Sequence, residues 1–423
     1  MRRPFVRDEH QGGRGLPGSS KRSTAVWVLL ALALVSINLR PAITTIAGAM
    51  GQLEATFAVE SRLLPVLGAL PVLAFGISAP VGPWLARRLG SGRAVAVALL
   101  VLAAALAARA LVPGFLFPGT FLAGAAIMTA SVLLPQIVKE RRGTGWWTGL
   151  CTMGFGLGAA LGAGLVQPLQ SALGGSLAGA LAVWAVPAVL GALLVRGAAG
   201  RGAGPAADTR ASTTTAAPLR KQRTAWAVAA FFGLQAMLYF AITSWLAVFL
   251  ESKGLPPAEA AALLAWFSLA GLPASLLAPV LAGKPRILRI MAPGLGLLIA
   301  GALLGVLAAP AGMQFALIGV LGFVQSAPFG LGMALIVIRS AGPRTAGRLS
   351  AMSQGLGFAA ASLGPLLAGV LHGWTGGWTL SFLVLAGVAL LVAVAGFAAV
   401  RGPVVSVGET AADRPAEPAA VGR

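Results

Sequence analysis

Twelve stretches of 18 or more residues almost free of charge follow one another along this chain. They run at approximately 25–48, 62–85, 92–113, 115–138, 144–168, 177–195, 225–250, 259–282, 287–308, 312–338, 346–371 and 378–400. Each can cross a hydrocarbon core ~30 Å thick as a helix, which takes about 20 residues. A helix satisfies its backbone polar groups within itself, so a chain made of such runs folds as a bundle of membrane-spanning helices. Barrel strands, ~10 residues of alternating polarity, do not fit these long uniform runs. Only 10% of residues are charged, against about 25% in soluble domains. The expected fold is an all-α membrane protein with twelve transmembrane helices.

The formal net charge of +20 does not point to nucleic acid, because its placement is ordered. With the N-terminus inside and alternate loops flipped, 27 of the 31 basic residues fall on one face. Among them are Arg87, Arg88 and Arg93, Lys139, Arg141 and Arg142, Lys284, Arg286 and Arg289, and Arg339, Arg344 and Arg348. The exceptions are Arg40, inside the first stretch, and Arg62, Arg109 and Lys253, expected on or near the other face. Basic loops stay in the cytoplasm, so both termini are expected there, in a bacterial inner membrane. The first 23 residues are basic and glycine-rich, without a cleavage site before the apolar run, so no signal peptide is expected. The single cysteine, Cys151, rules out a disulfide framework.

Shifting the chain by 199 residues pairs Trp27 with Trp226, Glu60 with Glu259, Pro80 with Pro279, Arg87 with Arg286 and Met153 with Met352. Agreement of these rarer residues on one ungapped offset implies two six-helix pseudo-repeats. The expected organisation is a tail (1–23), a first half (24–196), a polar linker (197–223), a second half (224–400) and a tail (401–423). Parallel six-helix repeats are the architecture of major facilitator transporters, whose substrate site lies at mid-membrane between the halves. Gly82-Pro83-Trp84-Leu85-Ala86-Arg87-Arg88-Leu89-Gly90 resembles that superfamily's cytoplasmic loop signature, with Ala86 where the acidic residue would stand. The resemblance implies a gating role for Gly82, Arg87, Arg88 and Gly90.

Further segments resemble the cyanate and nitroimidazole permease family more narrowly. They include Asn38-Leu39-Arg40-Pro41-Ala42, Leu70-Pro71-Val72-Leu73-Ala74-Phe75-Gly76 and Val132-Leu133-Leu134-Pro135-Gln136-Ile137-Val138-Lys139. Phe232-Gly233-Leu234-Gln235, Gly271-Leu272-Pro273-Ala274-Ser275 and the run from Arg344 to Gly355 belong to the same set. The resemblance implies a secondary transporter whose relatives move small anions or small polar heteroaromatics.

Arg40 is the leading site residue. A charge roughly 24 Å into a ~30 Å core costs a few kcal/mol, so it should face an aqueous cavity and bind something. Pro41 directly after it favours a helix opened locally at this point. The competing reading is an arginine snorkelling outward to headgroups. In the superfamily's geometry the first, fourth, seventh and tenth stretches line the cavity. That nominates Asn38 and Arg40, Gln235 and Tyr239 at i, i+4, and Gln325, with Gln354 from the eleventh stretch. Tyr239 is the repeat partner of Arg40. Thr129, Ser131 and Ser326 more simply bond their own helix carbonyls.

No acidic residue lies inside a stretch, so coupling to a co-transported proton would fall to His372 or an outer-end carboxylate such as Glu60 or Glu259. The sequence holds no P-loop, no metal cluster and no catalytic set, and neither cofactor nor metal is expected. The expected function is transport of a small anionic or polar solute by a monomer embedded in the bilayer. An exporter of small aromatic drugs is the alternative and a membrane enzyme the remote one.

Overall fold

A computed structural model describes residues 19–48, 53, 56–57, 63–199 and 218–407. Glu54, Glu60, Arg62, most of the expected linker and the chain from 408 onward lie outside the described residues. All the helices are α apart from short 3-10 turns. In the first half they are α1 (Ser19–Asn38), α2 (Pro41–Gly48), α3 (Leu64–Ser78), α4 (Val81–Leu89), α5 (Ser91–Leu111), α6 (Leu116–Ser131), α7 (Leu134–Glu140), α8 (Gly145–Gly164), α9 (Val166–Ala172), α10 (Leu177–Ala182) and α11 (Ala185–Ala199). The second half contains α12 (Arg223–Ser252), α13 (Pro257–Leu281), α14 (Pro285–Ala308), α15 (Gln314–Ile338), α16 (Pro343–Ala361), α17 (Leu363–Thr375) and α18 (Thr379–Arg401).

Ten helical stretches among the described residues are long and apolar enough to cross a membrane. Two further expected crossings, 62–85 and 144–168, coincide with α3–α4 and α8, which are not among those ten. One is interrupted at Ala79-Pro80, and seven of the 20 residues of α8 are glycine. Ile290 and Leu297 on α14, and Leu391 and Val394 on α18, stand exposed on the outside of the bundle. Apolar side chains in that position suit a lipid surround.

The breaks have one cause. Proline lacks an N–H, and its ring crowds the carbonyl four residues earlier. Counting back four residues from Pro41, Pro83, Pro135, Pro168, Pro187 and Pro365 gives Ile37, Ala79, Ser131, Gly164, Val183 and Ala361. Each is within one residue of a helix end. The sequence reading anticipated only the first of these. Pro71, Pro273, Pro279, Pro293 and Pro328 sit inside helices without interrupting them. The repeat shows the effect cleanly. The position equivalent to Pro41 is Phe240, and α12 runs unbroken for 30 residues.

The halves meet through α3 against α16, α8 against α13, and α7 against α15 and α16. The named contacts gather toward the helix ends that carry the basic loops, here called the basic face. Lys139 Nζ donates to Val337 O across 3.1 Å, and Ser131 Oγ donates to Gln354 Oε1 at 2.8 Å. Thr152 Oγ1 donates to Ser275 O at 2.6 Å. Gly145 and Gly149 lie so close to Pro279 and Leu276 that a Cβ at either would overlap backbone.

Beyond α18 the chain does not leave as the expected tail from 401. Val405 is fully buried and forms a parallel bridge with Ser340. Val405 N donates to Arg339 O at 2.7 Å, and Ala341 N to Val405 O at 2.8 Å. Gln222 and Ser406 exchange two hydrogen bonds, of 2.7 and 3.2 Å. At the other end, α1 begins at Ser19, inside the expected tail.

Candidate functional site

Arg40 occupies the gap between α1 and α2. Because Pro41 cannot donate, the ladder reopens there and resumes with Ile43 N and Thr44 N bonding to Arg40 O at 3.0 and 3.2 Å. The guanidinium carbon lies 5.4 Å from the centroid of Phe155, over the ring. Such placement over a π-face stabilises a cation by about 0.5–2 kcal/mol. The Tyr239 hydroxyl from the opposite half is within electrostatic range. Among the described residues no carboxylate or hydrogen-bond acceptor engages the guanidinium. Its fork of donors is left for something else.

Phe155 is one end of an aromatic chain that crosses between the halves, which the sequence reading missed. Phe155 meets Phe329 at 5.8 Å, Phe329 meets Phe232 at 6.1 Å, Phe232 meets Phe358 at 5.5 Å, and Phe358 meets Phe75 at 5.2 Å. Phe240 contacts Phe358 at 6.3 Å, and Tyr239 contacts Phe240 and Phe267 at 5.7 and 6.2 Å. No periodic signal links these residues, which come from six helices.

The amides divide. Gln325 Nε2 donates to Gln235 O at 2.9 Å, joining α15 to α12, while its buried Oε1 has no partner. Gln354 Nε2 donates to Ser350 Oγ at 2.7 Å, and its oxygen receives the Ser131 hydroxyl. Ser131 therefore bonds across the halves rather than within its own helix as expected. Thr129 does bond its own helix, to Ala125 O at 2.8 Å. Asn38 donates to Leu34 O at 2.8 Å in its own helix and lies against Gly191 of α11.

The loop residues are placed at the basic face. Gly82 is buried where α4 crosses α6, with no room for a Cβ beside Val132 and Thr129 O. Gly90 turns the chain at φ 83°, and Arg88 stacks over Trp84 at 4.7 Å. Arg87 is exposed. Where Ala86 replaces the signature's acid, Glu140 provides a carboxylate nearby in the fold. It accepts from Ser91 Oγ, and from Gln136 Nε2 at 2.9 Å. Glu140, Glu251 and Glu259 all sit at helix ends. His372 stacks on Trp378, with ring centroids 4.0 Å apart and planes 13° from parallel.

Arg109, expected on or near the face away from the basic loops, lies in the last turn of α5. There it is fully buried in the first half and bonded to α2, which brings bare oxygens within its reach.

The sequence profile of the Major Facilitator Superfamily matches residues 25–360. An uncharacterised transporter of Bacillus subtilis, YycB, is 30% identical over 90% of this chain and 95% of its own length. The cyanate transport protein CynX of Escherichia coli is 29% identical, over 89% of this chain and 98% of its own. The 2-nitroimidazole transporter of Escherichia coli is likewise 29% identical, over 88% and 95%. Among solved structures, the fucose transporter FucP in its outward conformation superposes with a TM-score of 0.71 at 14% identity, covering 88% of this chain and 98% of that one. The proton:xylose symporter XylE superposes at 0.69 with 13% identity, covering 90% and 95%. At such identities the structures speak for the fold alone. The profile and the relatives speak for descent: the chain belongs to the Major Facilitator Superfamily and is a multi-pass membrane transporter.

Proposed function

We propose that this protein carries a small anionic or polar solute across a bacterial inner membrane by alternating access. The substrate class is that of a cyanate-like anion or a small nitro-heterocycle. The observation that carries the reading is Arg40, a cation at a helix break whose guanidinium engages an aromatic face and no carboxylate. Arginine stays charged and offers a planar fork that matches carboxylate, nitro or linear-anion oxygens. Phe155 under the guanidinium, with Phe329 packed on it, suits a flat, conjugated solute, since aromatic pairs favour stacked or edge-on contact. Two of the relatives bear the names of a cyanate and a 2-nitroimidazole transporter.

In this reading the twelve expected stretches all cross, both termini are cytoplasmic, and the basic face is the inner one. The contacts between Lys139 and Val337 and between Gly145 and Pro279 then close the cytoplasmic side. The structure would thus stand in an outward-facing state. A reporter fused after Arg423 is expected to be active only in its cytoplasmic form; activity only on the outer side overturns this topology.

The direct test is thermal stabilisation of the purified protein by a panel of cyanate, thiocyanate, nitrate, short carboxylates and nitro-heterocycles. At a hundred times its dissociation constant a true solute stabilises by about 2.7 kcal/mol, a shift readily measured. One anion or nitro-heterocycle is expected to stabilise, and the Arg40→Ala variant to lose that response. Stabilisation only by bulky neutral aromatics would favour the drug-exporter reading instead. Uptake with and without a proton gradient separates coupled from facilitated transport.

A further inference from the structure

We propose that Arg109 is a positioning residue: from α5 it locks the half-helix α2 and thereby sets where Arg40 presents its charge. The proposal rests on the reading above, in which Arg40 contacts the solute. Arg109 sits in the last turn of α5, and none of its side chain is exposed. Nη1 donates to Ala42 O at 2.6 Å and Nη2 to Thr45 Oγ1 at 3.2 Å. Thr45 Oγ1 passes the link on, donating to Pro41 O at 2.6 Å. One guanidinium thus holds, directly or through one hydroxyl, two carbonyls and a side chain within five residues of Arg40.

α2 needs such a hold. Its eight residues are too few for an independent helix, since isolated helices below ~12 residues are marginal. Pro41 removes the hydrogen bond that would tie α2 to α1. Close packing surrounds the contact. A Cβ at Gly119 of α6 would overlap the Cβ and Cα of Arg109, so α5 and α6 meet backbone to backbone there, and one at Gly162 of α8 would overlap Pro41 and Thr44. α2 is therefore held between Arg109 on one side and α8 on the other.

A general packing role does not require a charge. Burying a guanidinium inside a membrane protein is costly, and both acceptors here are neutral oxygens that water or a neutral amide could serve. What the guanidinium adds is a rigid two-pronged fork that fixes direction as well as distance. Direction is what the neighbouring Arg40 requires.

The test compares Arg109→Lys, Arg109→Gln and Thr45→Val for membrane abundance, half-saturation and maximal rate, using the solute that most stabilises the protein. Arg109→Lys keeps the charge and one donor but loses the fork. Its half-saturation is expected to rise about tenfold, the size of one charge-assisted hydrogen bond, with abundance and maximal rate within about twofold of the parent. Thr45→Val, which removes one arm, is expected to raise it roughly threefold. A second arm needs no solute. In a Cys151→Ala background, Arg40→Cys is labelled with a small thiol reagent, with and without Arg109→Gln. The labelling rate is expected to change at least about threefold, as the break moves relative to Phe155.

Unchanged half-saturation together with an unchanged labelling rate overturns the proposal, and so does an abundance loss that accounts for all the lost uptake at constant half-saturation. A labelling change without any change in half-saturation leaves the hold on α2 standing. In that case it is Arg40's contact with the solute, and so the functional reading itself, that fails.

Discussion

Arg40→Ala is expected to abolish uptake of an anionic solute while the protein remains in the membrane at parental abundance. The two effects separate because the guanidinium pairs with no carboxylate. Removing it strands no buried partner charge and relieves the cost of its own desolvation. Arg40→Lys keeps a cation that can still sit over Phe155 but replaces a planar fork with a point charge. Uptake is expected to fall about tenfold or more, by loss of one charge-assisted contact. Tyr239→Phe removes the single hydroxyl that the other half brings into electrostatic range of Arg40 and should fall between parent and Arg40→Lys. Measuring uptake and abundance together decides the case. Parental transport by both Arg40→Ala and Arg40→Lys would show an arginine that merely snorkels to headgroups.

The second large effect concerns the closed side of the bundle. Gly145→Leu should disable transport without touching the site. A Cβ at 145 would enter the Pro279 carbonyl, and one at 149 the Leu276 carbonyl, so α8 and α13 can meet only if both positions lack a side chain. Backbone cannot yield as a flexible side chain does. Overpacking of this kind costs about 1–3 kcal/mol or more, which is about 5- to 150-fold in a two-state balance. The state closed at the basic face should be depopulated accordingly. A cysteine placed at Gln136 is then expected to label faster from the cytoplasmic side, while uptake falls sharply. Gly164→Leu, at a position with nothing within 4 Å, is the control and should be silent. Parental uptake and labelling in Gly145→Leu would mean that this contact is not a gate.

Much of the fold could be read from the chain because bilayer physics leaves few options. A long uncharged run must be a helix, and basic loops mark one side. The offset of 199 likewise pairs Arg40 with Tyr239, and the fold brings the two into electrostatic range. What was hidden depends on contacts that no local pattern records. Ser131 and Gln354 bond across the halves although 223 residues apart in sequence. Asn38 shares a helix with the site region, yet it turns toward α11, because one residue of helix is a 100° rotation. Depth along its run placed Arg109 near one end of a helix but gave no sign of its partners, because α2 is a separate element that does not continue α1. The prolines, counted back four residues, would have located most of the breaks.

The pairing of Gln222 with Ser406 bears on how such a chain can be assembled. The second half begins and ends at one spot, with Gln222 just before α12 hydrogen-bonded to Ser406 just after α18. A unit whose ends touch can be joined to a neighbour through a short connector without stretching either partner, and it tolerates new joints near that spot. Joining two such units end to end asks for that property. It also marks 218–407 as the piece to express separately alongside the first half if the two are to be brought together again from independent chains.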